Sequence, residues 1–142
     1  MNRMQFFLAF ATCIALVLAA GCAAGKTLTQ ADLLHRRFVL ESVDGKPFTH
    51  ERAPDIEFGE GFRVYGAVCN RYTGQGELKN DVLFVKQMAS TKMLCADGTL
   101  NTLEQDFARM LQDGATVEFA DNTLTLRQGG RVLVYKARDW VR

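Results

Sequence analysis

Apolar residues recur with a period of two over most of the chain and with a helical period over one stretch. RRFVLESV (36–43) is rich in β-branched and aromatic residues and runs into the turn signal DGKP, which predicts a strand ending at a reversal. In APDIEFGEGFRVYGAVCN the alternation places Ile56 and Phe58 on one face, then Phe62, Val64 and Gly66 after a GEG turn. GQGEL and KNDVLFVKQM suggest a further hairpin turning at Asn80-Asp81. Half-buried strands have this signature.

The pattern then changes. In DGTLNTLEQDFARMLQDG, Leu100, Leu103, Phe107, Met110 and Leu111 follow spacings of 3, 4, 3 and 1, which predicts one amphipathic helix. Asp97 or Thr99 can cap its start and Gly114 can end it. Asn101, Glu104, Gln105, Arg109 and Gln112 fall on the other face, expected to be solvated. TVEFA, TLTLRQ and RVLVYKA return to alternation, joined by the hairpin signals DN and GG. Val117, Phe119, Leu124 and Leu126 are expected inside, with Tyr135 ending the apolar run. The pattern predicts an antiparallel, strand-rich α+β domain with one helix packed on it. It should begin near His35, after a linker, AAGKTLTQADLL, holding at most a helical turn.

The first residues do not belong to that domain. MNRMQFFLAFATCIALVLAAGC has Arg3, an apolar run from Phe6 to Ala20 and small residues before Cys22. This is the layout of a secretory signal. About 15 apolar residues are short for a membrane-spanning helix, which needs about 20. LAAGC also has the form of a lipobox, in which Cys22 would receive lipid and become the mature N-terminus. Two or more acyl chains anchor a protein stably. Ala23, rather than aspartate, follows Cys22, which favours the outer membrane, with the domain facing the periplasm. The expected division is 1–21 signal peptide, 22–34 lipidated N-terminus and linker, and 35–142 folded domain.

Charge adds little. The chain carries 17 basic and 16 acidic residues; losing residues 1–21 removes only Arg3, leaving 16 against 16. A nucleic-acid partner would need a basic stripe, so none is expected. Attachment to the membrane is left to the lipid.

The cysteines narrow the chemistry. Cys13 leaves with the signal and Cys22 carries lipid, so Cys69 and Cys95 remain in an oxidising compartment. A bridge between them would close a loop of about 27 residues, stabilising the fold by about 3–4 kcal/mol. A cysteine hydrolase would need a base and an orienting group beside Cys69; only His35 and His50 offer a base. A zinc site from Cys69, Cys95, His35 and His50 lacks the tight ligand spacing of structural zinc. Asp55, Glu57, Glu60 and Glu77 lie near strand ends and turns, where carboxylates are usually solvated. Neither serine, Ser42 or Ser90, has a motif around it. Arg71 and Tyr72 could present a polar-aromatic binding surface.

GAVCNRYTGQGELKNDVLFVKQMASTKMLC resembles the META domain, whose signature runs G-x-x-C-N-x-[YF]-x-G and then T-x-M-x-C. The matching positions are Gly66, Cys69, Asn70, Tyr72 and Gly74, then Thr91, Met93 and Cys95. HRRFVLESVDGKP and LNTLEQDFARMLQDGATVEF extend the likeness to the HslJ-type heat-shock lipoproteins, over roughly residues 33 to 136. The resemblance implies antiparallel strands closed like a barrel with one helix. It implies a role in heat shock and envelope stress, including novobiocin tolerance, and offers no enzyme activity, cofactor or catalytic residue to carry over, so a non-enzymatic role with no cofactor and no metal is expected. It also implies that Cys69 and Cys95 are a structural pair, with Asn70 holding a tight backbone conformation or a side-chain-to-backbone bond and Thr91 acting similarly opposite. A monomer binding an unknown envelope protein or ligand is expected. The competing expectation is a lipid-anchored periplasmic hydrolase using carboxylates or a free Cys69.

Overall fold

The computed structural model describes residues 26–138. The expected signal peptide and the lipidation site Cys22 lie outside the described residues. The chain enters through a short helix, α1 (Gln30–Leu33), and continues into β1 (Arg36–Val43), β2 (Lys46–Pro47), β3 (Asp55–Gly59), a 3₁₀ turn (Glu60–Phe62), β4 (Arg63–Ala67), β5 (Arg71–Lys79) and β6 (Val82–Ser90). Helix α2 (Gly98–Asp113) follows, then β7 (Ala115–Ala120), β8 (Thr123–Gln128) and β9 (Arg131–Arg138). Every strand pairing is antiparallel, and β1 pairs with β9 to close the sheet into a barrel, with β2 a two-residue addition beyond β3. Closure removes the exposed edges that an open sheet must protect.

The hairpin turns follow from their residues. Asp44-Gly45, Asn80-Asp81, Asp121-Asn122 and Gly129-Gly130 all have positive φ at both positions. That is the type I′ geometry, whose twist matches the flanking strands and which favours Gly, Asn and Asp.

The barrel is zipped incompletely between β6 and β7, which pair only at Val82↔Thr116 and Leu83↔Ala115. Helix α2 covers this seam. It starts at Asp97, whose Oδ1 accepts from the Thr99 amide at 2.7 Å, and stops at Gly114. It buries Leu103, Phe107, Met110 and Leu111, with Leu100 only half-buried. Phe107 meets the Tyr72 ring edge-on at 5.1 Å between centroids. Phe38, Ile56, Phe58, Phe62, Val64, Leu83, Val85, Leu124, Leu126, Leu133 and Tyr135 fill the interior.

The folded unit begins earlier than His35. Leu33 is fully buried, and the Leu28 amide donates to Asp81 Oδ1 at 2.8 Å. Leu28 and Leu34 pack against the core beside Leu33, so three leucines dock a segment that has no periodic pattern. The strand registers also give the barrel two distinct ends. Residues 26–36 share one end with Glu60–Phe62 and the turn at Asn80-Asp81. The connections 44–54, 67–71 and 90–98 and the start of α2 lie at the other.

Candidate functional site

Strands β4 and β5 are joined by Val68, Cys69 and Asn70 at the end far from the chain entry. Cys69 is bonded to Cys95 with Cα atoms 6.1 Å apart, which ties this corner to the loop between β6 and α2. Asn70 is buried at 5% exposure, so each of its polar atoms needs a partner, and each has one. Oδ1 accepts from the Met93 amide at 2.7 Å and the Thr91 hydroxyl at 3.0 Å. Nδ2 donates to Glu104 Oε2 at 2.9 Å and the Met93 carbonyl at 3.2 Å. The backbone amide donates to Glu104 Oε1 at 2.9 Å, and the carbonyl accepts from the Val68 amide at 3.2 Å.

Thr91 completes the cluster. Its hydroxyl accepts from the Arg71 amide at 3.1 Å while donating to Asn70, and its own amide donates to the Arg71 carbonyl at 3.0 Å. Asn101 adds a bond from Nδ2 to the Cys95 carbonyl at 3.2 Å. Asn70 thus acts through side-chain-to-backbone bonds, and its φ is not among the positive ones. Met93 serves through its backbone; its side chain is 64% exposed.

The helix face expected to be solvated divides in two. Gln105, Arg109 and Gln112 are exposed, but Asn101 and Glu104 are half-buried and bonded to the Cys95–Asn70 corner. Nothing local marks Glu104, because its partner lies 34 residues away in sequence.

The glycines and the tyrosine of the motif form a second cluster. Tyr72 is buried, and its hydroxyl donates to the Asp55 carbonyl at 2.8 Å. A side chain at Gly66 would collide with that carbonyl and stand 2.7 Å from the Tyr72 hydroxyl. Gly74 lies at the register shift in β5, where a side chain would run into Val85. Burial drives the Tyr72 phenol well above the usual tyrosine range, so it stays protonated and donating. This corrects one expectation: Tyr72 cannot present a binding surface. Arg71, the other half of that expectation, is exposed. The alternation of β5 sends Tyr72 inward with Gly74 and Arg71 outward.

The candidate catalytic groups are scattered. His35 and His50 sit apart, beside Glu60 at 3.6 Å and Asp97 at 3.2 Å, respectively. Glu77 pairs with Lys86, and Glu60 is exposed. Asp55 and Glu57 do share the outer face of β3. Asp55 Oδ2 accepts from Arg37 Nε at 2.7 Å, and its Oδ1 accepts from the Ala67 amide at 2.8 Å. Burial raises Glu57, partly offset by its bond with the Tyr65 hydroxyl. Cys69, Cys95 and Glu104 place their ligand atoms within 4.8 Å of one another. Both sulfurs are spent on the bridge and both Glu104 oxygens on Asn70, so this trio is organised as structure.

A groove of about 710 Å³ lies against this corner, on the outer face of β3–β5. Its cations are Arg37, Arg52 and Arg71, and Asp55 is the one carboxylate in its lining. A second groove, of about 640 Å³, runs between the β1–β2 turn and the start of α2. There Arg131 bridges Asp44 at 3.1 Å and Asp106 at 2.5 Å.

Comparison with known proteins agrees with this architecture. A family model described as the META domain matches residues 31–140. Heat shock protein HslJ of Escherichia coli (strain K12) is 43% identical over 126 residues, covering 87% of this chain and 90% of that protein. A solution NMR structure at 44% identity superposes with a TM-score of 0.71, over 77% of this chain and 94% of its own. An NMR structure of a protein from Burkholderia xenovorans, 17% identical, shares the fold at a TM-score of 0.61 over the whole of both chains. With the family model spanning the barrel, the helix and the Cys69-Asn70 corner alike, the chain belongs to the META domain family.

Proposed function

We propose that this protein is a heat-shock-related envelope lipoprotein that works by binding, without catalysis. Lipid on Cys22 would hold it to the outer membrane with the domain in the periplasm. Its task would be to bind or stabilise an envelope component under heat or antibiotic stress, novobiocin included. The relationship to a protein named for heat shock supports the stress role.

The observation that carries the non-catalytic reading is the saturation of the motif. Nucleophile, amide, hydroxyl and carboxylate side chains meet at one corner, yet the sulfurs are bonded and the oxygens and nitrogens of Asn70 and Glu104 all have partners. Catalytic groups need an open valence toward a substrate, whereas a fully satisfied polar network rigidifies a platform. Among the described residues, the large apolar side chains left exposed are Met93 and Leu94. They form a small tip, unlike the broad apolar patch expected of a general holdase.

The test is complementation of a deletion strain, scored as survival after heat shock and in novobiocin. Replacing Arg71 together with Gln105, Arg109 and Gln112 by alanine should remove protection while the melting temperature holds. Full protection by that variant would sink the binding reading. Cys22→Ser should release the protein from the membrane fraction and weaken protection.

A further inference from the structure

The groove beside the disulfide corner gathers two unpaired arginines in one place, whereas Arg63, also without a carboxylate within 4.0 Å among the described residues, lies outside it. Arg109, Arg127, Arg131 and Arg138 each lie within 4.0 Å of a carboxylate. Arg52 and Arg71 are exposed and have no carboxylate partner among the described residues. Asp55, the carboxylate of the groove, is paired with Arg37 and the Ala67 amide instead. The groove therefore offers two uncommitted guanidinium groups over an outer sheet face that carries Tyr65 and Ala67, with Ala53 of the preceding connection beside it.

The platform is rigid. Arg71 is clamped on both its amide and its carbonyl by Thr91, one residue from the buried Asn70 and two from the disulfide. The facing loop is held just as firmly, since Asn70 bonds both the amide and the carbonyl of Met93. That same loop holds Met93 at 64% and Leu94 at 94% exposure. This arrangement holds the backbone that carries exposed apolar side chains beside unpaired cations. It preorganises a surface and so lowers the ordering cost of binding.

We propose that this groove docks an acidic peptide segment of an envelope protein. Carboxylates of the segment would pair with Arg52 and Arg71, and an apolar residue would lie against Met93 and Leu94. The proposal rests on the binding reading above and gives it a surface and a partner chemistry. The guanidinium fork matches a carboxylate in two-point geometry, and the groove already holds one arginine–carboxylate pair, with Arg37 Nε and Nη2 both donating to Asp55 Oδ2. A cavity of about 710 Å³ has room for a few residues of extended chain. Its position also favours a partner away from the anchor: residues 26–36 enter at the opposite end of the barrel.

The experiment is fluorescence anisotropy of the full chain with a fluorescein-labelled peptide of alternating Glu and Leu, and with its Lys-Leu counterpart. Wild type should bind the Glu peptide and ignore the Lys peptide. R52E/R71E should weaken the Glu peptide by at least about tenfold, gain binding of the Lys peptide, and melt at the wild-type temperature. Equal binding of the Glu peptide by wild type and R52E/R71E overturns the proposal. So does binding of phosphatidylglycerol vesicles through Arg52 and Arg71 with none of the peptide, which would assign the groove to a lipid surface. Stress survival separates the two levels. If R52E/R71E loses protection while wild type binds no peptide, the binding reading stands and the peptide is wrong. If a folded R52E/R71E variant that also carries alanine at Met93 and Leu94 protects fully, the docking surface is wrong.

Discussion

Asn70 and Arg71 are neighbours in the chain with opposite fates. Asn70 is buried with every polar atom partnered by Thr91, Met93, Glu104 or Val68. Arg71 has its backbone fixed by Thr91 and its side chain exposed in a groove without a carboxylate partner among the described residues. The contrast separates two roles that a short motif mixes. A saturated polar side chain holds the fold, and an unsatisfied charge held rigidly beside it is available to something else. Substitutions should therefore move stability on one side of the pair and binding on the other.

The largest stability effect is expected at Asn70. Asn70→Ala strands the Met93 amide, the Met93 carbonyl and Glu104 Oε2 in a half-buried corner, a loss of about 4 kcal/mol, since each orphaned buried group costs about 1–3 kcal/mol. Urea denaturation measures it, and a loss below about 1 kcal/mol would remove the hub from the account. Next comes the Cys69–Cys95 bridge. It closes a loop with a sequence separation of 26, so Cys69→Ser/Cys95→Ser should lower stability by about 3 kcal/mol in the chain-entropy picture. Reduction of the wild type should reproduce that loss, and a reduced protein as stable as the oxidised one would contradict it.

Glu104→Gln is the sharper test of the network. Glutamine keeps the shape but turns one acceptor into a donor facing Asn70, so a loss of about 2 kcal/mol is expected. A neutral outcome would mean that shape, not the direction of the bonds, holds the corner.

Acid should act more gently and elsewhere. The Thr99 amide, followed by the Thr99 side chain and His50, holds Asp97 below the usual carboxylate range. A depressed carboxylate contributes stability that is present above its ordinary value of 3.8 and lost as pH falls through the lower folded value. Thermal melts should show a small decline over that acid window, reduced in Asp97→Asn, whose amide caps the helix without titrating, while the part that comes from the depressed Asp32 and Glu77 remains. At the far end of the scale, Arg71→Ala should change stability by less than about 0.5 kcal/mol, as surface substitutions do. Its effect belongs in the binding and survival assays. A large loss of stability there would erase the contrast with Asn70.

Much of the barrel was legible because it is written locally. The range of β1 matches the run RRFVLESV, and the turns fall at the Asp-Gly, Asn-Asp, Asp-Asn and Gly-Gly pairs. The α2 stripe buries Leu103, Phe107, Met110 and Leu111 as the helical period requires. Tyr72 was legible in principle. It shares a face of β5 with Gly74, Gly76 and Leu78, and a large residue beside two glycines on an apolar face is placed to fill the interior. Glu104 and Leu33 were not legible. Glu104 reads as one more polar residue on a helix, and Leu33 as half of a Leu-Leu pair in a linker without apolar periodicity.

Period, turn chemistry and the spacing of Cys69-Asn70 from Thr91 and Cys95 were enough to specify strands, one helix and a family. Each depends on residues close in sequence, or on a pattern that needs no geometry to recognise. Which polar groups are spent and which remain open could be settled only by folding. Closing the barrel brings Glu104 onto Asn70 across 34 residues and Asp55 onto Arg37 across 18, while leaving Arg52 and Arg71 with no carboxylate within 4.0 Å among the described residues. Hydrogen bonds and ion pairs act over a few ångströms of space, so a side chain's partner depends on the path of the whole chain.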